Sequence, residues 1–294
     1  MVWLHGGGLI GGSGDTYPAE IPTAFHNVVM VTVNYRLSNL GFMPTLDDDS
    51  PGNFGLVDVM KSLEWVQGNI RNFGGDPDRV TIFGESGGAW AVSLLVMSPM
   101  ATGLFHRAIS QSGVAGVQIV VGGSFLPESP WDMMHKKQVN KVDYLLGTNN
   151  DEFGFCMPTL SESTSTSSKT HTSYFTTRPA RVRADHADDL WYLFGVPLMR
   201  DENAAWKYNF SEEERELSLD MMAYWVNFAA NGGAARMRDL AKWPRHTPSG
   251  QEYLRLNVTS SADVRLRESR MKFWNEEVPR LMGKKIRTAR PDEL

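Results

Sequence analysis

One ten-residue segment decides the fold of this chain: Val80-Thr81-Ile82-Phe83-Gly84-Glu85-Ser86-Gly87-Gly88-Ala89. A short run of β-forming residues leads directly into the pattern Gly-x-Ser-x-Gly, and a helix-like segment over residues 89–97 follows. This order of strand, turn and helix is typical of a nucleophile elbow, in which the serine lies in a strained, tight turn. Glycine is expected at 84 and 88 because a Cβ there would clash with a neighbouring strand or helix. Ser86 is therefore the candidate nucleophile, and the alternative is a structural glycine turn.

A second glycine-rich segment, Val2-Trp3-Leu4-His5-Gly6-Gly7-Gly8, lies upstream of the serine. The end of a predicted strand again runs into glycines, which let the main chain approach a substrate closely. Acyl transfer builds negative charge on a carbonyl oxygen, and backbone N–H groups stabilise that charge. We expect an oxyanion hole made by the N–H groups of Gly7, Gly8 and Gly87. Alone, the segment would be interpreted as a flexible loop between strands, but the two motifs together favour a hydrolase.

Composition and charge argue against several other classes of protein. The 294 residues are 41 % hydrophobic, which is enough to build the core of one α/β domain. A net charge of −5 gives no basic excess, so nucleic acid is not an expected partner. The longest apolar stretches, 28–33 and 89–97, are too short to cross a bilayer, and residue 1 already lies in a predicted strand rather than a signal peptide. Cys156 is the only cysteine, which excludes an intrachain disulfide and a cysteine-based metal site.

Along the chain, predicted strands alternate with predicted helices, which indicates an α/β fold with a mainly parallel sheet. Besides the strands of the two glycine motifs, strands are predicted at residues 28–33, 108–110, 142–147, 172–176 and 252–256. Helices are predicted at residues 55–72, 89–97, 217–230 and 269–282. Residues 1–283 are predicted to form a single domain and residues 284–294 a flexible tail. Residues 159–173, of which 11 are Ser or Thr, are predicted to be a loop.

A catalytic serine requires a base, and the base requires a carboxylate that orients it. In this type of architecture the base follows the serine in the chain. His186 is the best placed of the later histidines because it lies in a polar loop that opens a helix; the others are at positions 106, 135, 171 and 246. The alternative is that His186 is a surface histidine beside an N-cap aspartate. For the acid, Asp151 and Glu152 both follow the strand at 142–147, and spacing alone does not choose between them.

Together these segments resemble the type-B carboxylesterase and cholinesterase family of the α/β-hydrolase fold. Beyond the two glycine motifs, the matching segments include Asn34-Tyr35-Arg36-Leu37, Gly52-Asn53-Phe54-Gly55-Leu56-Val57-Asp58, Phe73-Gly74-Gly75-Asp76-Pro77, Gln111-Ser112-Gly113, Gly147-Thr148-Asn149-Asn150-Asp151-Glu152-Phe153-Gly154 and Ala184-Asp185-His186-Ala187-Asp188-Asp189. The resemblance implies that Glu152 is the orienting acid and that His186 is the base. It also implies supporting positions for Glu85, an acidic residue next to the nucleophile, and for Ser112.

The chain also departs from the family pattern. Family members have several strands before the oxyanion loop, at which this chain begins, and long helical inserts after the segment that matches Ser112-Gly113. Only 34 positions separate Glu152 from His186, where the family has a helical region that lines the substrate gorge. We therefore expect an α/β-hydrolase fold that lacks the N-terminal strands and part of the gorge, as in a fragment, splice form or incomplete gene model. Gly87 replaces the usual alanine but keeps its backbone N–H.

The resemblance implies serine-dependent hydrolysis of a small-molecule or lipid ester by two-step acyl transfer, with no cofactor and no metal. Two alternatives stay open: a catalytically impaired or binding and adhesion-type member, because segments are absent, and a lipase of the bile-salt-activated type. The segment Pro291-Asp292-Glu293-Leu294 resembles an endoplasmic-reticulum retrieval signal. Together with the sequons at Asn209 and Asn257, it indicates the endoplasmic-reticulum lumen or secretion, with the entry signal absent from this chain.

Overall fold

The structure is a computed structural model that describes residues 1–45, 51–114, 119–152, 184–199, 210–232 and 240–281. The chain divides into two compact units, Met1–Lys207 and Tyr208–Leu294. The predicted loop at 159–173, the predicted strand at 172–176 and the predicted tail at 284–294 lie outside the described residues. The single domain over residues 1–283 stays a prediction.

The first unit is built on a five-stranded sheet in which all neighbouring strands are parallel. The strands are β1 (Val2–Leu4), β2 (Val31–Val33), β3 (Thr81–Glu85), β4 (Arg107–Gln111) and β5 (Asp143–Gly147), in the order β2-β1-β3-β4-β5. The central strand β3 is buried along its whole length, as expected for a parallel strand that is covered on both faces. The predicted α/β fold with a mainly parallel sheet is confirmed.

Helices cover this sheet in the first unit. Those described are α1 (Glu20–Phe25), α2 (Ser38–Phe42), α3 (Phe54–Asn69), α4 (Gly87–Met97), α5 (Pro130–His135) and α6 (Asp188–Leu193). Helix α3 follows the predicted apolar spacing and buries Leu56, Val59 and Leu63 on one face. A 3₁₀ turn, Ile70–Phe73, continues from it and ends at Gly74, whose φ of 78° is a left-handed conformation that glycine adopts without strain.

Helix α4 lies in the core of the first unit. All of its residues except Trp90 are buried, and a helix that is apolar all round is expected only in the interior of a protein. Leu94 and Leu95 are fully covered, and each such side chain stabilises the folded state by about 1.5–3 kcal/mol relative to an exposed position. The N-terminus of α4, which directly follows Ser86, is therefore firmly fixed on the sheet.

The second unit contains helix α7 (Glu212–Asn231), an antiparallel hairpin of β6 (Glu252–Arg255) and β7 (Ser261–Val264), and the short helices α8 (Glu268–Lys272) and α9 (Val278–Leu281). Trp243 packs edge-on against Tyr224 and Trp225 of α7, with ring centroids 5.5 Å and 6.1 Å apart. The Tyr224 hydroxyl donates to the Ala241 carbonyl oxygen over 2.9 Å. Among the residues described in the two units, no helix has the length and apolar character needed to cross a bilayer.

The elements differ from the predictions mainly at their ends. The strand predicted at 28–33 is paired only over Val31–Val33, because its partner β1 is itself three residues long. The helix predicted at 217–230 begins earlier, at Glu212, because Ser211 and Glu214 form a capping box. The helix predicted at 269–282 is divided by a π-helical turn, Phe273–Glu277, which separates α8 from α9.

Candidate active site

Ser86 lies in a sharp turn between β3 and α4. Its backbone has φ 53° and ψ −119°, a combination that is costly for a residue with a side chain and is typical of functional sites. A Cβ on Gly84 would lie 2.6 Å from the carbonyl carbon of Gly88, and one on Gly88 would lie 1.9 Å from the Leu4 carbonyl oxygen. Both glycines are therefore required by close packing, and the predicted strand–turn–helix geometry is confirmed.

The glycine loop after β1 lies against this turn. Gly7 and Gly8 have φ values of 105° and 63°, which glycine adopts more readily than other residues. A Cβ on Gly87 would be 2.9 Å from the Gly8 backbone nitrogen and 2.8 Å from the Leu9 backbone nitrogen. Main-chain nitrogens of the loop thus lie close to the start of α4, and this closeness depends on the absence of a side chain at position 87.

A buried aromatic pair supports the start of this loop. The His5 ring stacks on Tyr35 with centroids 4.5 Å apart, and the Tyr35 hydroxyl donates to the His5 carbonyl oxygen over 2.7 Å. His5 Nδ1 lies 2.8 Å from the Gly6 carbonyl oxygen, and burial lowers the pKa of His5, so its ring is neutral at physiological pH. The sequence analysis gave Tyr35 no role; its place in a family-like segment was the only available signal.

Glu152, rather than Asp151, contacts the candidate base. Glu152 Oε2 lies 2.6 Å from His186 Nδ1, and its Oε1 accepts hydrogen bonds from the Asn149 backbone N–H and the Thr148 hydroxyl over 2.7 Å and 2.9 Å. Burial alone would raise the pKa of Glu152, but these bonds and one from Ser112 outweigh it and lower the pKa to about 2. Glu152 is therefore an anion at neutral pH.

His186 lies between two carboxylates. Its Nε2 is 3.0 Å from Glu85 Oε1, on the side opposite Glu152. Burial acts to lower the pKa of His186, but the contacts with Glu152 and Glu85 outweigh it and raise the pKa to about 10. In the structure, His186 thus contacts both Glu152 and Glu85, and Glu85 directly precedes Ser86 in the chain.

The loop that carries His186 is tied to the end of β5 through main-chain atoms. Asp151 and Asp185 form an isolated parallel bridge, and the Asp151 N–H donates to the Ala184 carbonyl oxygen over 2.9 Å. Ala187 has a left-handed φ of 67° and begins α6. Among the described residues, no group of three His, Cys, Asp or Glu side chains is arranged to hold a metal ion, and Cys156 lies outside them.

Comparison with known proteins identifies relatives of this chain. The model of the carboxylesterase family matches residues 1–120 and 167–274. The chain is 31 % identical to Carboxylesterase 3 of Pongo abelii, with 95 % of this chain and 72 % of the relative covered. It is 30 % identical to Carboxylesterase 3B of Mus musculus, with 100 % and 74 % covered. It is 29 % identical to the medium-chain fatty acyl-CoA hydrolase precursor of Anas platyrhynchos, with 98 % and 74 % covered.

The chain therefore belongs to the carboxylesterase family, which makes carboxylic ester hydrolase its enzyme class, and its parallel sheet agrees with an α/β-hydrolase fold. This confirms the resemblance seen in the sequence. The alignment with the Pongo abelii relative runs over 411 positions, although this chain has only 294 residues, so at least 117 aligned positions of that relative have no counterpart here. Gaps of this size agree with the internal losses expected from the sequence.

Proposed function

We propose that this chain hydrolyses carboxylic esters by two-step acyl transfer, with Ser86 as the nucleophile, His186 as general base and acid, and Glu152 as the orienting carboxylate. The observation that carries the proposal is the 2.6 Å contact between Glu152 and His186 Nδ1, with the His186 Nε2 against Glu85, the residue directly before a serine in a strained elbow. A carboxylate in this position fixes the imidazole tautomer and stabilises the imidazolium that forms during the reaction.

In the first step the Ser86 oxygen bonds to the ester carbonyl carbon while His186 Nε2 takes the serine proton. Negative charge then develops on the carbonyl oxygen, where the N–H groups of Gly7, Gly8 and Gly87 donate hydrogen bonds to it. The bond to the alcohol breaks and the leaving alkoxide takes the proton from His186. In the second step His186 takes a proton from water, the hydroxide attacks the acyl carbon, and release of the acid returns the proton to Ser86.

Glu85 affects how easily His186 performs this role. The contact of Nε2 with Glu85 favours a protonated ring, and a protonated ring cannot accept the Ser86 proton. The reactive form of the site is therefore one in which His186 is neutral and its Nε2 has exchanged Glu85 for the serine hydroxyl. Burial raises the pKa of Glu85 even though the contact with His186 opposes it, so this exchange leaves behind a carboxyl group that is readily protonated.

The proposal is tested by hydrolysis of a p-nitrophenyl ester by the wild-type chain and by Ser86→Ala. Loss of the nucleophile is expected to lower kcat by at least about 10³-fold, because the other groups cannot form the acyl intermediate. The matched control is Ser62→Ala, on helix α3, where the hydroxyl only donates to the Val59 carbonyl oxygen. Equal rates for wild type and Ser86→Ala would reject Ser86 as the nucleophile.

A second candidate is a family member that binds esters or other ligands without turning them over. It is favoured by the contact of His186 Nε2 with Glu85 and by the large gaps in the alignment with the relatives. Labelling with a fluorophosphonate distinguishes the two candidates, since it requires an activated serine. A folded, monodisperse protein that stays unlabelled would support the binding member.

The acyl preference of the proposed hydrolase can be determined by comparing its rates on substrates with different acyl chains. One relative is named a medium-chain fatty acyl-CoA hydrolase precursor, which makes acyl thioesters a reasonable second substrate class beside simple esters. A series of acyl chain lengths, offered as soluble esters and as bile-salt-dispersed lipids, separates a general esterase from a lipase. A general esterase would lose activity on the dispersed long-chain substrates.

We place the protein in the secretory pathway. Asn257 of the sequon Asn257-Val258-Thr259 lies in the exposed turn between β6 and β7, where a glycosyl transferase can reach it. The other sequon residue, Asn209, and the C-terminal tetrapeptide lie outside the described residues. Secretory expression should give a chain whose mobility changes on glycosidase treatment, and an unchanged mobility would count against glycosylation of both sequons.

A further inference from the structure

Three side chains outside the proposed triad form a polar cluster at the same edge of the sheet. Gln111 is the last residue of β4, Asn149 follows β5, and Asp189 lies in the first turn of α6, three residues after His186. We call these three residues the amide–carboxylate clasp. It joins the ends of two sheet strands to the helix that follows the candidate base.

The clasp is held by two short hydrogen bonds to one carboxylate. Gln111 Nε2 donates to Asp189 Oδ2 over 2.6 Å, and Asn149 Nδ2 donates to Asp189 Oδ1 over 3.0 Å. Gln111 is only 2 % exposed, so water cannot readily replace Asp189 as the acceptor for its amide. Each oxygen of Asp189 thus has its own amide donor, one at the end of β4 and the other in the loop after β5.

Asn149 connects this clasp to both halves of the base–acid pair. Its side chain also donates to the Asp185 carbonyl oxygen over 2.7 Å, directly before His186 in the chain. Its backbone N–H donates to Glu152 Oε1 over 2.7 Å. A displacement of α6 relative to β5 would therefore change the distance between His186 and Glu152, and the bonds of Asp189 to Gln111 and Asn149 oppose such a displacement.

The chemistry of the clasp requires an acceptor at position 189. Burial of the carboxyl group raises the pKa of Asp189, although the amides of Asn149 and Gln111 oppose this rise. An asparagine at this position would present one N–H₂ group to an amide N–H₂ of either Gln111 or Asn149. Two donors facing each other in a buried place repel and leave one of them without a partner.

We propose that Asp189 is a positioning residue for the base: by holding α6 on the ends of β4 and β5, it keeps the His186 ring in line with Glu152. This inference rests on the proposed function, in which His186 acts as the base. Asp189 itself touches neither the substrate nor the reacting atoms. A misplacement of about 1 Å in a catalytic group costs about 10²-fold in rate, so the effect of losing the clasp is measurable.

The test compares Asp189→Asn with the reciprocal double variant Gln111→Glu/Asp189→Asn. In the double variant, the asparagine N–H₂ donates to the new glutamate while its oxygen still accepts from Asn149, so both bonds are restored and only the one to position 111 has the opposite polarity. We expect Asp189→Asn to lower kcat for a p-nitrophenyl ester by about 10- to 100-fold with little change in KM. We expect the double variant to recover most of this loss, together with the fall in Tm that the unpaired buried donor causes in Asp189→Asn.

The matched control is Asp132→Asn. Asp132 also lies in the first turn of a helix, α5, where its carboxylate accepts from the Ser129 hydroxyl and its N–H donates to the same oxygen. This control should leave kcat unchanged. If Asp189→Asn does not fold, Gln111→Leu removes one of the two donors without placing a new amide in the clasp, and kcat should again fall with KM unchanged.

Two outcomes would overturn the inference. One is an Asp189→Asn variant, or a Gln111→Leu variant in its place, with wild-type kcat. The other is a folded double variant that recovers none of the loss, since the hydrogen bonds would then not be what matters. Ser86→Ala separates failure of the proposed function from failure of this inference. If Ser86→Ala retains full activity, the proposed function fails. If Ser86→Ala is inactive and Asp189→Asn is fully active, only the positioning role of Asp189 is rejected.

Discussion

The two halves of the candidate site are built in different ways. The half around Ser86 is local, because the ten consecutive residues 80–89 form the strand, the turn and the start of the helix. The half around His186 is assembled from distant segments: Glu152 lies 34 positions before His186, and Gln111 lies 78 positions before Asp189. Steric requirements hold the first half, and hydrogen bonds between polar side chains hold the second. We therefore expect the half around Ser86 to be disrupted by a substitution that adds side-chain atoms. The half around His186 should be disrupted by a substitution that changes a hydrogen-bond donor, acceptor or charge.

The largest effect is expected when the distant half loses its charge. Glu152→Gln keeps the shape of the side chain but removes the anion that orients His186, and we expect kcat to fall by about 10³- to 10⁴-fold. Steady-state kinetics on a p-nitrophenyl ester measures this loss. The neighbouring Asp151→Asn is the matched control and should lose far less, because its bond to the histidine loop through the Asp151 N–H and the Ala184 carbonyl oxygen is a main-chain one, which asparagine keeps. A larger loss of kcat from Asp151→Asn than from Glu152→Gln would indicate that Asp151, and not Glu152, is the orienting carboxylate.

The next effect comes from adding a methyl group to the local half. In Gly88→Ala the new Cβ would overlap the Leu4 carbonyl oxygen, which belongs to the fixed backbone of β1. We expect the free energy of unfolding, measured by urea denaturation, to fall by about 3 kcal/mol.

Gly68→Ala provides the control for this substitution. Gly68 lies inside α3, and apart from its chain neighbours and the nearby backbone of its own helix nothing comes within 4 Å of the position its Cβ would take. Alanine should stabilise the helix there by about 0.5–1 kcal/mol. If both glycine variants changed the stability equally, close packing at the elbow would not be the reason for Gly88.

The smallest expected effect is a dependence of stability and activity on pH, which arises in the half of the site around His186. Contacts with Glu152 and Glu85 raise the pKa of His186 to about 10 against the opposing effect of burial. Because the folded-state pKa is raised, the stabilisation from these contacts is complete below the ordinary histidine pKa of about 6.5 and is lost as the pH rises towards about 10. In the proposed mechanism activity has the opposite trend, since the base must be neutral to accept the Ser86 proton, so kcat/KM should rise with pH over the same interval.

Glu85→Gln separates the contribution of Glu85 from that of Glu152. Removing one of the two carboxylates should lower the pKa of His186 and move the rising limb of kcat/KM to lower pH. The measurement is a rate profile from about pH 5 to about pH 11. Superimposable profiles for the variant and the wild type would show that Glu85 does not hold a proton on His186.

Much of the local half could be predicted from the sequence. The apolar strand, the two glycines and the serine between them are consecutive, so their mutual sterics follow from known strand and helix geometry. The glycine loop after β1 could be associated with the elbow because parallel strands end at the same edge of a sheet. Its support by stacked His5 and Tyr35 was not predicted, since the two rings meet only through strand pairing.

The distant half could be predicted only in part. Spacing left Asp151 and Glu152 equivalent, and only the family resemblance favoured Glu152. Gln111, Asn149 and Asp189 carry no pattern that marks them as partners, because a hydrogen bond between segments 78 positions apart depends on how the strands are ordered. The contact between His186 Nε2 and Glu85 was missed for the same reason, although Glu85 had been noted as an acidic neighbour of the nucleophile.

The central claim is that His186 serves Ser86 while Glu152 holds its other nitrogen. The most direct measurement is a crystal structure of the chain after reaction with a fluorophosphonate. We expect phosphorus bonded to the Ser86 oxygen, His186 Nε2 turned from Glu85 to within about 3 Å of that oxygen, and Nδ1 still on Glu152. A phosphonylated Ser86 with Nε2 still on Glu85, or a folded protein that does not react at all, would contradict the claim.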